Sequence, residues 1–176
     1  MEKRHILICG ERGAGKSTLI ERLLREYQGP VYGYFTRSTP RDENGFHSIY
    51  IHPAGAAKRL RSEANHIGDC NGRERSVNLR VFETLGVEYL RHGGDGLIVM
   101  DELGFMEAGA NDFCTAVLNC LAEDTHVIAC VKARFDVPFL CKVRSCPKGE
   151  LYAVTPENRE ELYNELTPIV RGWSEA

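Results

Sequence analysis

Residues 5–18 read His5-Ile6-Leu7-Ile8-Cys9-Gly10-Glu11-Arg12-Gly13-Ala14-Gly15-Lys16-Ser17-Thr18, and the fold is decided there. His5 to Cys9 is a short apolar run closed by Gly10, the pattern of a buried parallel strand covered on both faces. From Lys16 onward Leu19, Ile20, Leu23, Leu24 and Tyr27 recur at helical spacing until Gly29-Pro30 stops the helix. The intervening Gly10 to Ser17 fits G-x-x-x-x-G-K-[ST], the Walker A loop that carries a chain from a strand into a helix. Glycines are needed there because backbone N–H groups must curl inward around phosphate oxygens, where a Cβ would collide. The positive end of the helix adds to the cradle. Lys16 then supplies a point charge between the β- and γ-phosphates, Ser17 a hydroxyl ligand for Mg²⁺, and Thr18 a contact to the α-phosphate.

Outward from the loop, Val31 to Phe35 and Phe46 to Ile51 are β-rich runs on either side of a polar turn at 40–45, which predicts an inserted antiparallel hairpin. Tyr32, Tyr34 and Phe35 read as core. Residues 53–76 are charged and small without clean periodicity, so irregular surface chain is expected. Val81, Leu85, Tyr89 and Leu90 mark a second helix, and Leu97 to Met100 a buried strand ending at Asp101. Phe113, Val117, Leu118 and Leu121 mark a third helix, His126 to Val131 a further core strand, and Leu151 to Val154 the last strand. Thr155 is placed to cap the final helix with Pro156 at its first position, and Leu162, Leu166, Ile169 and Val170 form its apolar face. This alternation predicts an α/β chain: a three-layer P-loop fold with a mostly parallel central sheet and an inserted β-hairpin, residues 1–176 forming one domain.

Composition agrees. The 176 residues are 43% hydrophobic and 27% charged, enough for one packed core and too apolar for a disordered chain. Twenty-two basic residues against twenty-five acidic ones give a net charge of −3, so no global field recommends nucleic acid or an anionic membrane, and any anion is bound locally. No apolar run approaches the roughly 20 residues of a membrane span, and a cytoplasmic location is expected. The seven cysteines lack Cys-x-x-Cys spacing, and Cys9, Cys114, Cys120 and Cys130 sit among apolar residues, so they read as reduced thiols.

Asp101-Glu102 directly follows the apolar strand, the Walker B arrangement of carboxylates at the carboxyl end of a buried strand. Asp101 is expected to hold Mg²⁺ through its waters, and Glu102 to face the γ-phosphate and polarise an attacking water. Hydrolysis is thereby favoured over transfer. The long interval between Lys16 and Asp101 suits a sheet with an extra strand between the two motifs. No Asn-Lys-x-Asp guanine signature is present, which leaves the base open.

With these motifs on the page, the sequence resembles the small P-loop nucleoside triphosphatases of the thermophile-protein type, the family that includes the cancer-related nucleoside triphosphatase. Four segments carry the resemblance: Gly10 to Thr18, Gly33-Tyr34-Phe35-Thr36-Arg37, the block Val99 to Glu107, and Val154-Thr155-Pro156-Glu157-Asn158-Arg159. It implies slow, Mg²⁺-dependent hydrolysis of ATP, GTP and other nucleoside triphosphates to diphosphate and phosphate, with no known protein partner. Carried over by position, Gly10 to Thr18 bind the phosphates, Asp101 and Glu102 serve metal and water, and Gly104 and Glu107 shape the nucleotide-side loop. Arg12, Phe105 and Lys132-Ala133-Arg134 depart from the family's usual residues. They bear on which cation neutralises the transition state: Arg134 and Lys132 lead, with Arg12 and Arg37 behind them. Two other readings stay open. One is a small-molecule kinase with a lid carrying Arg59, Arg61, Arg73, Arg75 and Arg80; the other is a nucleotide-gated binding module.

Overall fold

The computed structural model describes residues 4–174. Its strands are β1 (His5–Cys9), β2 (Val31–Ser38), β3 (His47–Pro53), β4 (His66–Cys70), β5 (Arg75–Val77), β6 (Leu97–Leu103), β7 (His126–Val131) and β8 (Gly149–Ala153). They form one sheet in the order β5-β4-β3-β2-β6-β7-β1-β8. From β2 across to β8 every pairing is parallel, and β3, β4 and β5 extend the sheet antiparallel beyond β2. As expected from the spacing of the two motifs, β7 lies between β1 and β6.

The helices are α1 (Lys16–Leu24), α2 (Leu79–Val81) running through a π-helical turn at Phe82–Gly86 into α3 (Val87–Tyr89), α4 (Asn111–Ala122), α5 (Pro138–Arg144) and α6 (Arg159–Gly172). Alternation along the parallel strands sorts the core into two layers. Ile6, Ile8, Leu97 and Val99 pack with Leu19, Ile20 and Leu23 of α1 and Leu166 and Val170 of α6. Leu7, Ile98, Met100 and Val127 pack on the other face with Phe113 and Val117 of α4 and Leu140 of α5. Each such aliphatic side chain contributes about 1.5–3 kcal/mol by leaving water. Tyr34 and Phe35 are buried in these layers. Among the described residues no helix is long and apolar enough to cross a membrane, and all seven cysteines are free thiols.

Four sequence expectations are corrected. Segment 53–76 is not mostly irregular, because β4 and β5 lie within it. Ladder bonds and polar contacts hold these strands at one end of the sheet: Ser48 Oγ and His66 Nε2 bond Asp69 Oδ1 at 2.6 and 3.1 Å. Such strands leave no apolar alternation to read. Strand β6 continues past Asp101 to Leu103, and β8 starts at Gly149. The final helix begins at Arg159 rather than Pro156, because Thr155 and Asn158 are engaged with each other: the Thr155 N–H donates to Asn158 Oδ1 at 2.8 Å and the Asn158 N–H to Thr155 Oγ1 at 3.2 Å. Helix α5, begun by Pro138, was not anticipated.

Candidate active site

The phosphate loop leaves β1 where the chain after β8 crosses it. Val154 N–H donates to Cys9 O at 2.8 Å, and a Cβ on Gly10 would overlap the Val154 carbonyl oxygen, so only glycine lets the two segments meet. Inside the loop Lys16 Nζ donates to Gly10 O at 2.8 Å and Glu11 O at 2.5 Å. The ammonium is thus held at the mouth of the loop while α1 begins at Lys16 itself.

The acids reach the same edge through a break in the ladder. Met100 pairs with Ala129 and Leu103 with Val131, so Asp101 and Glu102 together stand opposite Cys130 alone. This is a β-bulge, a device that re-aims side chains at the end of a strand. Asp101 is only 3% exposed. Its Oδ2 accepts from Arg37 Nη1 at 2.7 Å and from the Thr36 N–H at 3.3 Å. Burial raises its pKa, while the Arg37 guanidinium, the Ser17 hydroxyl and the Thr36 N–H oppose that rise. Oδ1 is buried and makes no hydrogen bond. An orphaned carboxylate oxygen, on an acid that also interacts with the Ser17 hydroxyl, offers hard donors that fit Mg²⁺, a cation that keeps several waters and needs few protein ligands. Glu102 is ion-paired with Lys132 beyond β7, and its carbonyl accepts the Tyr34 O–H at 3.0 Å. The Tyr34 phenol is pushed well above its usual range by burial and by the nearby acids Glu107, Asp101 and Glu102.

A cleft of about 710 Å³ joins these parts. Gly10, Arg12, Gly13, Gly15, Lys16, Ser17 and Thr18 line it from the loop, Asp101 and Glu102 from β6, and Lys132 and Arg134 from beyond β7. Three predicted positions do not line it. Glu11 lends only its carbonyl to Lys16, Ala14 is buried, and the Gly104 N–H donates to Glu107. Arg37 is committed to Asp101 and Glu21, which makes it a support for the acid. Arg134 grips Asp136 through Nε at 2.7 Å and Nη2 at 2.5 Å. Sequence reasoning missed Phe105 as a wall of the cleft, where Arg75, Lys132 and Arg134 surround its ring at 4.4, 4.9 and 5.5 Å from the centroid. An aromatic ring three residues after the strand-end acids was the available signal. Cys130, also lining the cleft, has its thiol pushed up to about 12 by burial.

A backbone cradle opening onto a carboxylate pair, with one strand intervening in the sheet, defines a P-loop nucleoside-triphosphate-binding protein. Comparison with known proteins narrows the class. Residues 5–167 match the family model described as NTPase, and the chain belongs to that family of nucleoside-triphosphate-cleaving enzymes. It is 28% identical over 170 residues to the nucleoside-triphosphatase THEP1 of Thermotoga maritima, covering 94% of this chain and 95% of the relative. It is 30% identical over 163 residues to the THEP1 of Thermococcus kodakarensis, covering 88% and 87%. The crystal structure of THEP1 from Aquifex aeolicus shares the fold, with a TM-score of 0.75 at 24% identity over 94% of this chain and 98% of that one.

Proposed function

We propose that this protein hydrolyses nucleoside 5′-triphosphates, ATP and GTP among them, to the diphosphate and phosphate with a water activated by Glu102. The observation that carries the reading is the shared cleft, in which Lys16, Glu102 and Lys132 face one volume. The loop amides and Lys16 bind and orient the phosphate chain. Ser17 and Asp101 would hold Mg²⁺, which when bound neutralises charge on the phosphate oxygens. Glu102, ion-paired with Lys132, accepts a proton from the water as its oxygen bonds the γ-phosphorus. The bond from the γ-phosphorus to the bridging oxygen breaks, and the diphosphate departs with that oxygen and its electron pair. Lys132 is the cation that meets the γ-phosphate, because its ammonium sits against Glu102 itself and lines the same cleft as Lys16, whereas Arg37 supports Asp101 and Arg134 folds back on Asp136.

Release of phosphate from ATP, GTP, CTP and UTP in the presence of Mg²⁺ tests the reading. Glu102→Gln should keep ATP bound and lose at least about 10²-fold in turnover. Normal hydrolysis by that variant refutes the role of Glu102, and no phosphate release by the native protein refutes the activity.

A further inference from the structure

Arg159, the first residue of α6, lies directly on the phosphate loop. A Cβ on Gly15, whose φ is +93°, would sit 2.5 Å from Arg159 Nη1 and 2.7 Å from its Cδ. The glycine therefore makes room for a guanidinium as well as for a turn. Gly15 packs against both the aliphatic part of the side chain and its Nη1, yet that contact gives Nε no hydrogen-bond acceptor. Arg159 Nε is buried and makes no hydrogen bond. Glu160 Oε1 stands 3.9 Å from that nitrogen, and its carboxylate is already gripped by Arg22 at 2.5 and 3.1 Å. The backbone leading to Arg159 is fixed, because Asn158 Nδ2 donates to Ala153 O at 2.8 Å and Val154 N–H to Cys9 O at 2.8 Å. A dry donor without a hydrogen bond costs about 1–3 kcal/mol, while the side chain as a whole stays 36% exposed and within reach of a ligand.

The sheet order says which part of a ligand that is. Asp101 and Glu102 belong to β6, Lys132 follows β7, the phosphate loop follows β1, and Arg159 comes after β8. Neighbouring strands are about 4.8 Å apart. A phosphate chain whose γ end meets Glu102 and Lys132 runs over the loop away from β6, so its α end points toward β8. We infer that Arg159 binds the α-phosphate of the nucleotide, closing the site on a chain of three phosphates. The inference rests on the reading that the cleft holds a nucleoside triphosphate with its γ end at Glu102.

Calorimetric titration of the full-length protein with ATP, inorganic tripolyphosphate and inorganic pyrophosphate, all with Mg²⁺, tests it. Arg159→Met keeps the aliphatic contact with Gly15 and removes the charge, and Arg159→Lys restores a charge without the fork. Arg159→Met should weaken ATP and tripolyphosphate by about tenfold or more, and pyrophosphate by less than about twofold. Arg159→Lys should recover part of that loss. Unchanged ATP affinity overturns the inference, and so does an equal loss for pyrophosphate, which would mean a deformed loop. Native protein that shows this binding pattern but releases no phosphate sinks hydrolysis alone. Normal hydrolysis with ATP affinity indifferent to Arg159 sinks the α-phosphate contact alone.

Discussion

Replacing Glu107 by glutamine should change how stability depends on pH. Glu107 opens the 3₁₀ turn Glu107–Gly109 after β6, is buried, and accepts the Gly104 N–H. Burial pushes its carboxyl from 4.5 to about 7, with Glu102 adding to the rise and Lys132 and the Gly104 N–H opposing it. The unfolded chain loses this proton near pH 4.5 and the folded one only near 7, so the folded state binds more protons across that window. Stability from this group is therefore complete at low pH and is lost as pH climbs toward 7. The full shift corresponds to about 3 kcal/mol, of which about 2 kcal/mol falls between pH 5.5 and 8. Glu107→Gln keeps an oxygen acceptor for Gly104 and does not titrate. Urea unfolding followed by circular dichroism at pH 5.5, 7 and 8 should show the variant gaining about 2 kcal/mol on the native protein across the series. Asp101, raised by burial, and His5, His47 and His52, lowered by it, are common to both proteins and cancel in the difference. Stability curves that run parallel with pH would refute the buried-acid argument.

Lys16→Ala should lower kcat/KM for ATP by at least about 10²-fold in a phosphate-release assay, since it removes the charge held at the mouth of the loop. Arg37→Met leaves the buried Asp101 with the Thr36 N–H as the remaining bond to Oδ2, and should cost about 2 kcal/mol in chemical denaturation at pH 7, less at pH 4. Cys130 should resist iodoacetamide in the folded protein at pH 8 and react after unfolding in urea, read by mass spectrometry, because burial keeps its thiol protonated.

The legible parts of this molecule are those in which neighbours in sequence act together. Gly10 to Ser17 could be read as a cradle because the strand before it and the helix after it carry their own apolar periods. Asp101 and Glu102 could be read as strand-end acids for the same reason. Strands β4 and β5 could not, because Ile67 and Val77 are nearly their whole apolar content and their partners come from elsewhere in the chain. Helix α5 spans seven residues, too few for a period to declare itself, although Pro138 was an available start signal. The division of labour among the cations was also hidden. Lys132 and Arg134 lie two positions apart, yet one meets Glu102 across the sheet edge and the other folds back on Asp136. Arg159 stood in a stretch already singled out, but its contact with Gly15 exists only because β8 packs beside β1.

The ladder interruption in β6 sets two residues against Cys130 alone. Excising one residue there would make the pairing continuous again and leave a lone acid in place of two. Architecture and reactivity thus part company at a single notch. On the role proposed for Glu102, a chain shortened by that one position would keep its sheet and its grip on a nucleotide and lose the cleavage.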